Sequence, residues 1–267
     1  PQPFPTEKLY DLMIHGYAVF PSFVSKELCF NAIKYINYHI GKPAEGSVKN
    51  NITPHLISHM LSDPEVMDLY YASASSTIYT LFGSSAGEVK YDVLRTLTCQ
   101  VALRFPEMDH QFPVVSESQP GPPLGGVQWH TDGMDKGDYA PFTILIGVAL
   151  SDQMLPYSGN LCVFPGSHYS LQDFVRQFVA RSQPSDDTRD PTMLLNRPVL
   201  EEPVQILAKT GDVVILHQKL AHRGGPNYNC DIRRMVYFRI SHKKHDELKG
   251  GSVENIWLEF EGMSEVL

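Results

Sequence analysis

Apolar residues recur along this chain at two different periods, and the change from one to the other falls near Gly87. The first part reads helical. Thr6 is placed to cap a short helix that runs through Met13 and stops at Gly16. Ser25 caps a second, with Leu28, Cys29, Ala32, Ile33, Ile36 and Ile40 on one face and Gly41 at its end. Asp63-Pro64 opens a third, because the N–H that proline lacks has no partner in a first turn anyway. Val66, Leu69, Tyr70, Thr77, Ile78 and Leu81 carry that helix to a stop at Gly83.

Beyond Gly87 the texture becomes alternating or continuously apolar runs between Gly, Pro and Asp. Strands are predicted over 89–93, 96–105, 127–131, 142–150, 161–164, 204–207, 212–216 and 234–240. About eight strands after a helical start predict an α+β fold, with a double-stranded β-helix (jelly-roll) core and the N-terminal helices packed on one sheet. The chain is read as one domain, 1–267, mainly helical over 1–87 and jelly roll over 88–267. Two long segments interrupt the strands. Residues 106–126 hold five prolines and three glycines, and 182–203 are similarly rich in Pro and Asp. Loops of such length in a compact domain serve as lids or binding loops, or carry no order. The first leads straight to His130 and is read as a lid.

Composition then narrows the class. Hydrophobic residues at 42% suffice for a substantial core, and no stretch has the length of apolar sequence a membrane span needs. Nothing at the start reads as a signal peptide. The four cysteines, Cys29, Cys99, Cys162 and Cys230, are scattered without a C-x-x-C pair, which points to thiols in a reducing, cytoplasmic setting. A formal net charge of −8 argues against a nucleic-acid partner. The one basic run, His242-Lys243-Lys244-His245, is followed at once by Asp246 and Glu247 and is read as a solvated face.

The candidate chemistry sits in Gln128-Trp129-His130-Thr131-Asp132-Gly133, joined ninety residues after Asp132 by His222 in Leu220-Ala221-His222-Arg223-Gly224-Gly225-Pro226-Asn227. Side chains i and i+2 of a strand share a face, so His130 and Asp132 can aim at one point. Two histidines and one carboxylate on one side of a metal leave its other positions open, the arrangement of non-haem Fe(II) oxygenases. With eleven histidines in the chain, the triplet alone also reads as chance. Arg233 follows His222 by eleven residues in a strand-like run, where its planar fork suits a carboxylate cosubstrate. Arg234 is its rival, since neighbours in a strand face opposite sides.

Several further segments, in order, resemble the phytanoyl-CoA dioxygenase-like family of Fe(II)/2-oxoglutarate oxygenases. Near the start, Gly16-Tyr17-Ala18-Val19-Phe20 looks like the family's opening strand. Gly159-Asn160-Leu161-Cys162-Val163-Phe164-Pro165-Gly166-Ser167-His168 is similar to its Pro-Gly-Ser-His turn, and Gly211-Asp212-Val213-Val214-Ile215-Leu216-His217 precedes the second histidine. The resemblance implies Fe(II) held by His130, Asp132 and His222, 2-oxoglutarate held by Arg233, and O2 as oxidant. A small organic substrate would be hydroxylated or desaturated. Halogenating relatives replace the carboxylate with a small residue, and this chain keeps Asp132. Many relatives carry serine two residues after the second histidine, where this chain has Gly224.

That departure leaves the far carboxylate of 2-oxoglutarate in need of other partners. Thr143, a polar exception in an apolar run, is one candidate, or else an ordinary strand threonine. Gln100 and Arg104 alternate against Leu97, Cys99, Val101 and Leu103. They either line the barrel as cosubstrate or substrate contacts or face solvent. Trp129 is expected to point away from the metal, His168 to be a turn residue, and His217 to steady a ligand or only to pack. A metal-binding jelly roll without turnover, or a cupin-type isomerase or hydrolase, also accommodates the triplet. Neither has a use for Arg233.

Overall fold

The structure, a computed structural model, describes residues 4–40, 64–73, 80–83, 94–108, 129–133, 139–181, 200 and 202–263. Helix α1 spans Thr6–His15 and ends where Gly16 turns left-handed at φ 79°. Helix α2 spans Lys26–Ile40, its first turn capped by the Ser25 hydroxyl, which accepts from the Leu28 N–H at 3.3 Å. Helix α3 spans Pro64–Ser73, with proline at its first position as expected. Leu12, Cys29, Ala32, Ile36, Val66 and Leu69 form the buried faces of these helices.

Eight strands follow in chain order: β1 Tyr17–Phe20, β2 Leu94–Arg104, β3 Ile144–Ala149, β4 Leu161–Val163, β5 Val204–Ile206, β6 Val213–His217, β7 His222–Gly224 and β8 Arg233–His242. Five make one antiparallel sheet in the order β1-β6-β3-β8-β2, and three make another in the order β5-β4-β7. Strands β3 and β6 are buried along their whole length, which explains why their sequences run apolar without alternation.

Their two faces go to different places. Ile144, Ile146, Val148, Val213 and Ile215 join the helices in one core. Leu145, Val214, Leu216, Met235 and Tyr237 face the other way, against Leu161, Val163 and Ile206 of the smaller sheet. The helices therefore cover the outer face of the large sheet, and a second core lies between the sheets. After β8 the chain turns through short helical segments, and Ile256, Trp257, Phe260 and Met263 return to the first core.

Several expectations are corrected here. The strand expected over 127–131 is a single bridge, His130 to His222, among the described residues. Two elements were not expected: a helix at Gln172–Arg181, although Phe174, Val175, Phe178 and Val179 recur at helical spacing, and the three-residue β7, too short to show a period. In the run read as a solvated face, Lys243 and Lys244 are exposed but His242 and His245 are buried. The loop 109–126, the strand 89–93 and the loop 182–199 lie outside the described residues. No helix among the described residues is long and apolar enough to cross a membrane.

Candidate metal and oxoacid site

His130 and His222 are locked to each other through their backbones. The His130 N–H donates to the His222 carbonyl at 3.1 Å and the reverse bond is 2.9 Å. This antiparallel bridge sets the two imidazoles side by side, tilted by 51° with their centroids 4.6 Å apart. Asp132 follows in the turn that closes at Gly133 and swings its carboxylate back, so that Oδ1 lies 3.5 Å from His130 Nε2. One ligand atom from each of His130, Asp132 and His222 falls within 4.8 Å of the others, the metal-capable cluster among the described residues.

The donor set suits a divalent transition metal. The Nδ1 of His222 faces the Leu220 carbonyl at 2.8 Å, and a carbonyl can only accept, so Nδ1 carries the proton. That leaves the Nε2 lone pair for a ligand. Burial pushes the His222 pKa down, against the pull of Asp132, which keeps the ring in the neutral form that binds metals. For Asp132 burial acts upward. The hydrogen bond from His130, the nearby His222 and the Arg239 guanidinium outweigh it and hold the carboxyl well below the usual carboxylate range. The His130 side chain is 37% exposed while His222 is buried, so among the described residues the cluster opens on the His130 side.

Behind Asp132 stands a residue that sequence reasoning missed. Arg239 donates from Nε to Asp132 Oδ2 at 3.0 Å and from a terminal nitrogen to Gln100 Oε1 at 2.8 Å. Its guanidinium also lies over the Phe142 ring. The signal was present: Arg233, Met235, Tyr237 and Arg239 share parity in β8, so whatever face takes Arg233 takes Arg239 as well. Gln100 thus gives its acceptor to Arg239, and is linked to Asp132 through that guanidinium.

Arg233 is 3% exposed. One terminal nitrogen donates to the Ala102 carbonyl and the other to the Tyr237 hydroxyl, both at 3.3 Å, while Nε has no partner among the described residues. Arg234 points elsewhere, donating to the Ile232 carbonyl at 3.1 Å. Arg104 is the direct cross-strand neighbour of Arg233 in the β2–β8 ladder. Burial and the adjacent Arg233 charge lower its pKa.

Thr143 requires a correction. Its hydroxyl donates to Glu259 Oε2 at 2.5 Å and accepts from the His242 N–H at 2.8 Å, so it is committed to the C-terminal segment. A buried carboxylate needs donors, and Glu259 draws this one. Trp129 packs on Phe164 with centroids 4.2 Å apart, below the Arg223 guanidinium. His168 Nε2 faces the Met13 carbonyl and His217 Nε2 the Ile256 carbonyl, so each ties elements together away from the cluster.

The family model of phytanoyl-CoA dioxygenase matches residues 15–235. The chain belongs to the phytanoyl-CoA dioxygenase family. No curated protein sequence matches it. Among solved structures, the non-haem α-ketoglutarate-dependent carbocyclase SnoK of nogalamycin biosynthesis aligns with a TM-score of 0.57 at 15% identity, over 90% of this chain and 87% of that one. EctD from S. alaskensis, with 2-oxoglutarate and 5-hydroxyectoine, aligns at 0.57 and 15% identity, over 88% and 76%. HygX from Streptomyces hygroscopicus, with nickel and 2-oxoglutarate, aligns at 0.55 and 16% identity, over 90% and 88%. At these identities the likeness to the solved structures is one of fold. Within the phytanoyl-CoA dioxygenase family the matched span takes in all three cluster residues and Arg233.

Proposed function

We propose that this member of the phytanoyl-CoA dioxygenase family is an Fe(II)- and 2-oxoglutarate-dependent oxygenase that hydroxylates a small organic molecule. The observation that carries the reading is the convergence of His130, Asp132 and His222 on one point. The two sheets that share a core would close as a double-stranded β-helix, with this cluster at one end of the space between them. SnoN, another structure of similar fold, was crystallised with Fe3+, α-ketoglutarate and a nogalamycin compound, and supports the same cofactor pair here.

His130, Asp132 and His222 would hold the iron from one side and leave the rest of its coordination open to cosubstrate and oxygen. Iron and 2-oxoglutarate, when bound, supply an O2-driven oxidation in which the oxoacid loses CO2 and becomes succinate while a substrate C–H bond is hydroxylated. The chain's own part is positioning. Arg239 holds one Asp132 oxygen and leaves Oδ1 directed toward the histidines. The Leu220 carbonyl fixes the His222 tautomer. Arg233, with the Tyr237 hydroxyl beside it, offers a fork for the carboxylate that the reaction does not consume.

The test is anaerobic reconstitution with Fe(II) followed by addition of 2-oxoglutarate and O2. Oxygen uptake that depends on 2-oxoglutarate, with one succinate per O2, is expected in the wild type and absent from Asp132→Ala. A protein that binds one metal but consumes no oxygen with 2-oxoglutarate is a metal-binding jelly roll, and one that turns over without it is a cupin-type isomerase or hydrolase. Either result overturns the proposal.

A further inference from the structure

The bridge that presents the two histidines has a second face. His130 and His222 exchange both backbone hydrogen bonds, so they form a hydrogen-bonded antiparallel pair. The same register places Trp129 opposite Arg223, as a pair that shares no backbone bond and whose side chains stand closer. Neighbours along a strand face opposite sides. The imidazoles therefore project forward into the cluster, and the indole and guanidinium project back. They meet there, with the Arg223 Cζ 4.8 Å from the centroid of the Trp129 ring. Arg223 is buried, which removes the water that weakens such a contact at a surface.

The floor under this pair belongs to the small sheet. Trp129 rests on Phe164, and the Phe164 N–H donates at 3.0 Å to the carbonyl of Ala221, the residue before His222. Arg223 lies opposite Cys162 in the β4–β7 ladder. The arm that carries His130 has less of its own. Among the described residues its backbone joins the sheets at this one bridge. One arginine grips it on each side of His130, Arg239 through Asp132 and Arg223 through Trp129.

We propose that Trp129 and Arg223 are positioning residues for the metal, a cation–π pair on the back of the bridge that keeps His130 seated beside His222 before an ion arrives. The inference rests on the metal reading of His130, Asp132 and His222 above. An ion binds the form in which all three ligands are in place, so its apparent affinity scales with the fraction of molecules whose arm is seated. Loss of a buried cation–π contact lowers that fraction by up to roughly 30-fold.

The experiment uses the full chain with Ni(II) alone as the probe, its affinity read by competition with a chromophoric chelator. Arg223→Met keeps the apolar stem without the charge and is expected to bind Ni(II) roughly 3–30-fold more weakly. Arg223→Lys returns a cation to the ring face and is expected to recover most of the loss. The discriminating measurement repeats Arg223→Met in a His130→Ala background, where Asp132 and His222 remain as ligands. There it is expected to change affinity by under about twofold, because the imidazole it seats is gone and Asp132 is held separately by Arg239. A merely structural role costs the same factor in both backgrounds.

Trp129 gives a second reading, which carries the test where His130→Ala binds too weakly to compare. In Trp257→Phe it is the one tryptophan left in the chain. Adding Arg223→Met is expected to open it to acrylamide quenching in the metal-free protein, and Ni(II) to close it again as the ion reseats the arm. Unchanged Ni(II) affinity in Arg223→Met, an equal loss in both backgrounds, or a Trp129 equally shielded in the metal-free protein with and without Arg223 overturns the proposal. If Asp132→Ala loses Ni(II) in the same assay, the metal reading stands without it. A wild type that binds no Ni(II) overturns both.

Discussion

Replacing Glu259 with Leu tests how the C-terminal segment is held to the strand that leaves the site. His245 directs Nδ1 at Glu259 Oε2 and Nε2 at the Ala140 carbonyl, each 2.8 Å away. Both partners are acceptors and a neutral imidazole has only one N–H, so this geometry calls for the doubly protonated ring. Thr143 donates to the same carboxylate oxygen, and all three side chains are buried. Removing the carboxylate strands a buried cation, at a cost of about 3–5 kcal/mol. For a domain of this size that is roughly 6–20 °C in Tm.

The double variant His245→Phe/Glu259→Leu removes the charge problem, leaves the Thr143 hydroxyl without its acceptor, about 1–3 kcal/mol, and takes the His245 donor from the Ala140 carbonyl. It should therefore be more stable than the single variant. Burial pushes the His245 pKa down, but the Glu259 hydrogen bond and charge outweigh it and hold the ring above its ordinary value. A raised folded-state pKa means that the stabilisation is complete below the unfolded value near ~6.5 and fades as pH climbs through the folded one. The stability gap between wild type and double variant should narrow as the pH rises above the ordinary histidine value and through the raised folded-state one. Urea unfolding followed by circular dichroism measures all of this. A Glu259→Leu cost below about 1 kcal/mol near pH 6, or a gap that widens with pH, would refute the doubly bonded imidazolium.

Asp132→Ala should lower bound iron from one equivalent to near none by elemental analysis, and iron retained at full occupancy would remove Asp132 from the ligand set. Arg239→Met frees one oxygen of Asp132, and loss of such an orienting partner lowers metal affinity by roughly 10–100-fold. Competition against a chromophoric chelator reads it, and unchanged affinity means the guanidinium does not position the ligand. Native protein should show one fast thiol with a disulfide reagent, Cys230, which is exposed. Burial raises the Cys29 thiol to about 11 and the Cys99 thiol to about 12 and also raises Cys162. Three or four fast thiols before unfolding would contradict this packing.

Much of the scaffold was readable because burial and period agree. The caps at Ser25 and Gly16 and the continuously apolar runs of β3 and β6 announce themselves in the sequence. So do the three cluster residues, since His-x-Asp fixes two of them locally, though the pairing of His130 with His222 is a long-range bridge no period could give. What stayed hidden was polar burial. Glu259, His245 and Lys219 read as surface residues by type and are enclosed by partners from distant segments. The partner of Thr143 was hidden for the same reason, because its acceptor lies 116 residues away. Strand β7 is three residues long, too short to show alternation.

Strand β8 is bonded along both edges, to β2 on one side and β3 on the other. That double grip makes the centre intolerant of a change in chain length. A one-residue slip would turn Arg233, Tyr237 and Arg239 out and bring Arg234, Val236 and Phe238 in, reversing the chemistry of the interior while leaving its hydrogen bonds intact. A change in chain length is therefore expected to be tolerated only outside the strand, as in the connection 225–232 that precedes it, where it leaves the ladder in phase. Lengthening that connection changes the surroundings of the site while Arg233, Tyr237 and Arg239 are carried along in register.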